Sequence, residues 1–315
     1  MDVFFGIRKL AKRFSWPVVT LGMFDGVHLG HQKVILKVLS LAGKEGGGSV
    51  VITFDRHPRS YISKSAQSCI TSLEHRLVLF ERLGVDVTVV LKFNHEIAET
   101  SAEEFINKII HGCLGAKAVV LGFNCAFGKE RRGNASMVCS FAKECGFKVF
   151  SCDPVKLEGE VISSTAIRKN IVEGNLEKAN KMLGRRVSVF GTVISGDGRG
   201  RELGYPTANL NLHHEIKPPS GVYATKVILD NMEYNALTNI GIRPTFEGSS
   251  LDNEPLVEVH IIDFDESIYG KDLEVQFLYK LREEIKFQDV NELKLQLRHD
   301  KVSSLERFPK KILTE

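Results

Sequence analysis

The chain has 315 residues, 43% of them hydrophobic and 26% charged, with a formal net charge of +3. That length and mixture suit one large globular domain or two ordinary ones with ample core. The near-neutral charge implies no broad nucleic-acid footprint, and no apolar run approaches the roughly 18 residues a membrane helix needs.

The opening stretch, MDVFFGIRKLAKRF, lacks the charged-then-apolar order of a secretory signal. A cytoplasmic protein with no membrane or nucleic-acid partner is expected; homo-oligomerisation is left open. PVVTLG (17–22), SVVITF (49–54), DVTVVL (86–91), KAVVLGF (117–123) and FKVFSC (147–152) read as buried strands. Amphipathic segments near 30–44, 72–84, 101–113 and 135–146 read as helices between them. Two open with the hydroxyl–carboxylate spacing of a capping box, Thr71 with Glu74 and Ser101 with Glu104. Alternation of this kind builds a parallel sheet with helices on both faces. Such sheets take ligands at the carboxyl ends of their strands. A basic cluster at 129–132 offers charge to phosphate. The six cysteines (69, 113, 125, 139, 145 and 152) show no CxxC spacing; four of them are embedded among hydrophobic or small residues, and reduced, buried thiols are expected there.

The grammar changes after about Arg186. VSVFGTVIS, GVYATKVIL, MEYNALTNIG, PLVEVHIIDF and LEVQFLYKL are β-rich and separated by Gly, Pro and Asn. They predict an antiparallel barrel. A last helix, capped by Asp289 with Glu292, runs to about Phe308. The join falls in helical sequence around 163–184, which predicts domains at 1–184 and 185–315. No internal repeat or low-complexity segment is visible.

Chemistry gathers first in TLGMFDGVHLGHQK (20–33). Gly22 ends a strand, and Asp25, Gly26 and Gly30 punctuate the turn into a helix. His28 and His31 therefore share one face at or near a helix N-terminus. Free N–H groups and partial positive charge there attract phosphate, and imidazole N–H groups add donors for charge developing at phosphorus. A Walker loop would read G-x-x-x-x-G-K-[ST] and is absent, which suits attack at an α-phosphate with pyrophosphate leaving. A zinc pair lacks further ligands at recognisable spacing, and a polar helix cap with incidental histidines is the remaining reading.

GMFDGVHLGH resembles the signature of the HxGH nucleotidyltransferases, closest to the adenylyltransferase module of bacterial bifunctional riboflavin kinase/FAD synthetases. TFDRHPRSYI, LGFNCAFGKERRGN and ISSTAIRKNIVEGNLEKANKMLGR resemble further segments of that family, in order along the chain. The resemblance implies a Rossmann-like domain that adenylylates FMN with ATP. By position, His28 and His31 would be catalytic contacts to ATP phosphates, and Gly22, Phe24 and Asp25 would line the nucleotide pocket. Ser163, Ser164, Thr165 and Arg168 would form a second phosphate clamp. A hydroxyl cluster opening a helix, with Arg168 a turn later, can reach one anion; a plain N-cap is the alternative. Asn124 would be a flavin-phosphate or nucleotide contact, and His57 and Arg59 would contact the flavin. Arg56, Phe123 and Cys125 depart from the family pattern in these flavin segments.

In the second half, GDGRGRELGYPTANLNL (196–212) sets four glycines around two arginines, a loop whose N–H groups can wrap phosphate. Thr207 and Asn209 then offer oxygens on one side of an extended segment, and hard oxygens suit Mg²⁺. A glycine-rich hairpin with a polar end is the plainer reading. In LVEVHIIDF, alternation puts Val257, Val259 and Ile261 on one face and Glu258 and His260 on the other. A charged Glu258 in an apolar strand requires either a partner or a job; His260 reads as a polar neighbour.

These segments resemble the riboflavin kinase P-T-A-N motif and its following blocks. The resemblance implies that Glu258 is the base that accepts the proton of riboflavin's 5′-hydroxyl. Thr207 and Asn209 would hold Mg²⁺, Gly196, Gly198, Gly204 and Pro206 the nucleotide, and Asn239 and Arg282 the flavin. A salt bridge of Arg282 with Glu283 or Glu284 is equally open. The whole implies an enzyme using ATP, with riboflavin as substrate, FMN as intermediate and FAD as product, neither flavin being a prosthetic group. Two alternatives are a working kinase beside a weak or redirected adenylyltransferase, and a non-catalytic flavin- or nucleotide-binding regulator.

Overall fold

A computed structural model describes residues 1–7, 13–56, 68–196, 200, 203–241 and 256–308. The chain divides into two compact units, Met1–Ile167 with Met182–Gly184, and Arg168–Lys181 with Arg185–Glu315.

The first unit is built on a six-stranded sheet of β1 (Asp2–Phe5), β2 (Pro17–Leu21), β3 (Gly48–Phe54), β4 (Val87–Leu91), β5 (Ala118–Gly122) and β6 (Lys148–Cys152). The strand order is β1-β4-β3-β2-β5-β6, and every pairing is parallel. Strands β2 to β6 match the expected segments to within one residue at each end. Strand β1 was not foreseen: DVFF is too short and too exposed to show alternation, and it is held by register with Val87 to Val90. Helix α1 (Leu29–Lys44) packs on β2, β3 and β5; α2 (Leu73–Leu83) and α3 (Ala135–Cys145) follow β3 and β5. Both sheet faces are covered. Val19 and Leu21 pack with Phe105, Ile106 and Ile110, whereas Val18 and Val120 pack with Val34 and Val38. The predicted helix at 101–113 begins at Ala102–Glu104, capped by Ser101, and continues with π winding over Phe105–Cys113.

One expected cap is corrected. Ser72, not Thr71, caps α2, its Oγ accepting the His75 N–H at 3.2 Å. The Thr71 hydroxyl instead accepts the Gly26 N–H at 2.8 Å, because the chain needs that oxygen to hold a turn forty-five residues away. The thiols are corrected too. No disulfide links the described cysteines, but only Cys152 of them is buried, four are partly buried and Cys139 is exposed.

After the two-residue strands β7 (Lys156–Leu157) and β8 (Glu160–Val161) come α4 (Ser164–Val172) and α5 (Leu176–Leu183). The second unit then closes a barrel from β9 (Ser188–Ile194), β10 (Ala208–Asn211), β11 (Gly221–Leu229), β12 (Met232–Gly241), β13 (Leu256–Ile261) and β14 (Asp272–Arg282). Its order is β10-β13-β12-β11-β14-β9, all antiparallel, with β9 pairing back to β10. Strand β10 was read only as an extended segment of the PTAN loop. Hairpin β11–β12 turns at Asp230 and Asn231, whose φ of 49° and 65° are those of the two-residue turn that matches strand twist. Tyr223, Thr225, Thr238 and Phe277 are sealed from solvent in this unit. Helix α6 (Val290–Arg307) is capped as expected: Asp289 accepts the Asn291 and Glu292 N–H groups.

Candidate functional site

The first cluster forms where the parallel sheet changes direction. From β2 the chain builds outward through β3 and β4, then returns to place β5 on the other side of β2. In open parallel sheets the switch point, here beyond the carboxyl ends of β2 and β5, is where ligands are taken. The loop after β2 enters it through a strained backbone: Phe24 and Val27 have φ of 52° and 39° around Gly26 at 82°. Positive φ at a β-branched valine persists only where surroundings enforce it. The enforcing contacts are present. The buried Asp25 carboxylate accepts the Ile70 and Thr71 N–H groups at 2.8 and 3.1 Å. Thr71 holds Gly26, and Gln32 Nε2 donates to the Val27 carbonyl at 2.8 Å.

His28 is the N-cap of α1. Its Nδ1 accepts the backbone N–H groups of Gly30 and His31 at 3.1 and 3.3 Å. In the neutral ring the proton therefore sits on Nε2. The His31 ring stacks on His28 with centroids 3.6 Å apart, and Phe24 meets His31 edge-on at 5.3 Å. So His28 closes the end of α1 with one ring nitrogen, and its ring is stacked on that of His31.

The start of α4 joins this cluster. The Ser164 hydroxyl donates to the Asp25 carbonyl at 2.9 Å, and Ser163 Oγ accepts the Ala166 N–H at 3.2 Å. Thr165 is exposed in the first turn and Arg168 lies one turn further along the same helix. Asn124 is exposed just beyond β5, next to an exposed Phe123. Of the basic cluster, Lys129 pairs with Glu99 and Arg132 with Glu130, both at 2.6 Å. Among the positions singled out from sequence, His57, Arg59 and Gly198 lie outside the described residues.

Arg76 was missed by sequence reasoning. It is 2% exposed, yet its guanidinium reaches three chain segments. It donates to the carbonyls of Met23 (2.6 Å), Phe54 (2.9 Å) and Ser72 (3.3 Å) and to Thr53 Oγ1 (2.8 Å). Burial pushes its pKa down, and the charges of Asp25 and others oppose that. It ties the ends of β2 and β3 to the start of α2. A signal existed: Arg76 precedes Leu79 and Phe80 by three and four residues, which puts a cation on the apolar stripe of its helix.

The second cluster lies on the barrel wall. Glu258 of β13 is directly opposite Asn209 of β10 on one side and Asn239 of β12 on the other. Opposed residues in antiparallel strands share a face, so three strands set Asn209, Glu258 and Asn239 in one row. Val257, Val259 and Ile261 fill the other face, as alternation predicted. Asn209 is 7% exposed, and its Oδ1 is buried with no hydrogen-bond partner among the described residues. An acceptor oxygen in that state is costly unless a donor or cation completes it. Gly196 passes close beside Asn209, and Gly200 beside Thr207. A Cβ at Gly196 would strike the Asn209 amide, and one at Gly200 would press on Tyr205 O and Thr207 Oγ1. Gly204 has φ of 81°. Thr207 and Pro206 edge a pocket of about 280 Å³ whose apolar wall includes Ala208, Val259, Ile261 and Phe264. His260 Nδ1 lies 2.8 Å from the Pro206 carbonyl.

Arg282 is engaged differently from the expectation of Glu283 or Glu284 as its ionic partner. Its Nε and Nη2 form a fork on buried Asp300 of α6 at 2.8 to 3.1 Å, and Nη1 donates to the Glu283 carbonyl. An arginine fork matches a carboxylate better than one lysine-like contact would, and α6 supplies that carboxylate from eighteen residues away.

Comparison with known proteins gives a consistent result. Residues 12–166 match the family model for FAD synthetase and residues 183–308 that for riboflavin kinase. A bifunctional riboflavin kinase/FMN adenylyltransferase of Haemophilus influenzae is 37% identical over 302 residues, 95% of this chain and 97% of the relative. The Bacillus subtilis protein of the same description is 37% identical over 295 residues, 92% of each chain. A solved Streptococcus pneumoniae structure, described as a macrolide-efflux protein, superposes with a TM-score of 0.79 at 32% identity, covering 97% and 99% of the two chains. Among the described residues of this chain, no helix is long and apolar enough to cross a membrane.

Proposed function

The chain belongs to the bifunctional riboflavin kinase/FMN adenylyltransferases, and from that membership we propose how its two clusters divide the work. Residues 185–315 phosphorylate riboflavin with ATP to give FMN. Residues 1–184 transfer AMP from a second ATP to FMN, giving FAD and pyrophosphate. The observation that supports this reading is that each half gathers its own cluster of polar side chains. His28 and His31 sit at a sheet switch point, and Glu258 stands between Asn209 and Asn239 on a barrel wall.

In the kinase half, Glu258 accepts the proton of riboflavin's 5′-hydroxyl as that oxygen attacks the γ-phosphate. Among the described residues no hydrogen bond holds the carboxylate elsewhere, and Asn239 stands beside it to orient the flavin chain. Gly196, Gly204 and Pro206 border the loop and pocket that take the nucleotide. Thr207 and Asn209 would hold Mg²⁺: the orphaned, buried Oδ1 of Asn209 and the hydroxyl two residues before it are the hard oxygens that ion takes. When bound, Mg²⁺ offsets negative charge on the transferring phosphoryl group. Arg282, locked on Asp300, shapes the flavin side through α6 rather than as a loose cation.

In the adenylyltransferase half, a phosphate oxygen of FMN attacks the α-phosphorus of ATP and pyrophosphate leaves. His28 Nε2–H and His31 donate to the charge that builds on phosphate oxygens. Gly22, Phe24 and Asp25 shape the nucleotide pocket, and Thr165 and Arg168 supply further donors at the head of α4. Asn124 contacts the flavin. Each step is a single displacement by an oxygen nucleophile, so positioning and charge stabilisation dominate. A cytoplasmic setting and small-molecule partners alone belong to the same proposal; the net charge of +3 supports the second. Separate assays test the division: FMN from riboflavin, and FAD from added FMN. Loss of only the first on changing Glu258, and only the second on changing His28, is the expected result.

A further inference from the structure

His260 of β13 is left without a task by the reaction as described. It is two residues beyond Glu258 on β13, on the same side of the strand by alternation. Its Nδ1 lies 2.8 Å from the Pro206 carbonyl, fifty-four residues away. A carbonyl oxygen only accepts, so Nδ1 carries the proton and donates. The Tyr205 ring meets the imidazole edge-on, with centroids 5.3 Å apart. The strand that presents Glu258 therefore also grips the residue immediately before Thr207. Burial pushes the His260 pKa down, which keeps the ring neutral while Nδ1–H remains in place.

The grip matters because of what lies around Pro206. The Gly-rich loop before it includes residues outside the described ones, and Thr207 and Asn209 follow it. Strand β10 fixes Asn209 by pairing with both β9 and β13. The described ladder starts at Ala208, so Thr207 is outside it. Its backbone direction is set instead by the peptide that joins it to Pro206, whose oxygen His260 holds.

We propose that His260 is a positioning residue for the kinase reaction: its Nδ1–H anchors the Pro206 carbonyl and so fixes Thr207 relative to Asn209 and Glu258. This rests on the reading of Thr207 and Asn209 as the metal-holding pair. It predicts that the loss of His260 weakens the response to metal, while the protonation chemistry of Glu258 is intact.

The test uses the full chain and a complex that does not turn over. Riboflavin fluorescence is followed with ADP while Mg²⁺ is titrated, and the Mg²⁺ concentration at half-maximal quenching is read. His260→Leu is expected to raise that midpoint about tenfold, the scale of one lost hydrogen bond. His260→Asn, whose amide nitrogen replaces Nδ1 on the same carbon, is expected to restore it to within about threefold. Asn209→Leu serves as the reference for the metal-holding pair. An unchanged midpoint in Asn209→Leu overturns the reading of the pair itself. A raised midpoint in Asn209→Leu beside an unchanged one in His260→Leu overturns the positioning role alone. If His260→Leu does not fold, His260→Asn decides: a midpoint raised about tenfold in that chain overturns the anchor, and a restored one supports it.

Discussion

Asn209 and Glu258 are directly opposed across the β10–β13 pair, and Asn239 flanks Glu258 on the next strand. A carboxylate within the barrel wall thus has an amide on either side, one of them with a buried oxygen that no described residue satisfies. Glu258→Gln keeps the shape of this row and removes the base. Its kcat for FMN formation is expected to fall by about 10²- to 10⁴-fold, with riboflavin KM little changed. FAD formation from supplied FMN, measured on the same sample, should persist.

His28 separates two roles on one ring. His28→Ala loses both the cap and the Nε2–H, and should cost about 1 kcal/mol of stability. His28→Asn retains a capping oxygen and should unfold within about 0.5 kcal/mol of the unsubstituted chain. Both variants should lose most adenylyl transfer. Thermal unfolding beside an FAD-forming assay checks this; full activity in the Asn variant would reduce His28 to a cap.

Arg76 is expected to be structural in a way that reaches function. Arg76→Met leaves the half-buried carbonyl of Met23 and the buried one of Phe54 without this donor. The cost should be about 2–4 kcal/mol, read by denaturant unfolding. FAD formation should suffer more than FMN formation, because the loosened segment leads into the His28 loop.

Asp300 anchors α6. It is 3% exposed and accepts both the Arg282 fork and the Gln296 amide at 2.8 Å. Asp300→Ala strands a half-buried guanidinium and should destabilise the fold by about 3 kcal/mol. Proteolysis within residues 290–307 should become faster in the same variant.

Burial raises the Cys125 pKa to about 11. Its thiolate is scarce at pH 8, so iodoacetamide should label exposed Cys139 first, as peptide mass spectrometry would show. The sign for stability follows. The unfolded thiol ionises near its ordinary value while the folded one keeps its proton. Cys125 therefore contributes stability below about pH 9, which is lost as pH rises toward about 11.

Much of the fold was legible because it rests on local pattern. Buried parallel strands such as Val18–Val19 and Val50–Ile52 are runs that only β structure explains at that length, and the barrel strands alternate cleanly around Glu258. What escaped depended on partners distant in sequence. Strand β1 exists through pairing with β4, and β10 is hidden in a glycine-rich loop until β9 and β13 bracket it. Thr71 and Ser72 are equally good caps on paper; the Gly26 turn decides between them. At the site, the cap position of the HxGH pair could be read from spacing. The anchoring of Pro206 by His260, the fork of Arg282 on Asp300 and the buried reach of Arg76 could not, since each joins segments at least eighteen residues apart.

The most direct measurement follows products over time when the purified chain is given riboflavin, ATP and Mg²⁺. Two distinct sites predict FMN first, then FAD, with ADP and pyrophosphate both released. Formation of neither flavin nucleotide, or of FMN with no FAD even when FMN is supplied, would contradict the account.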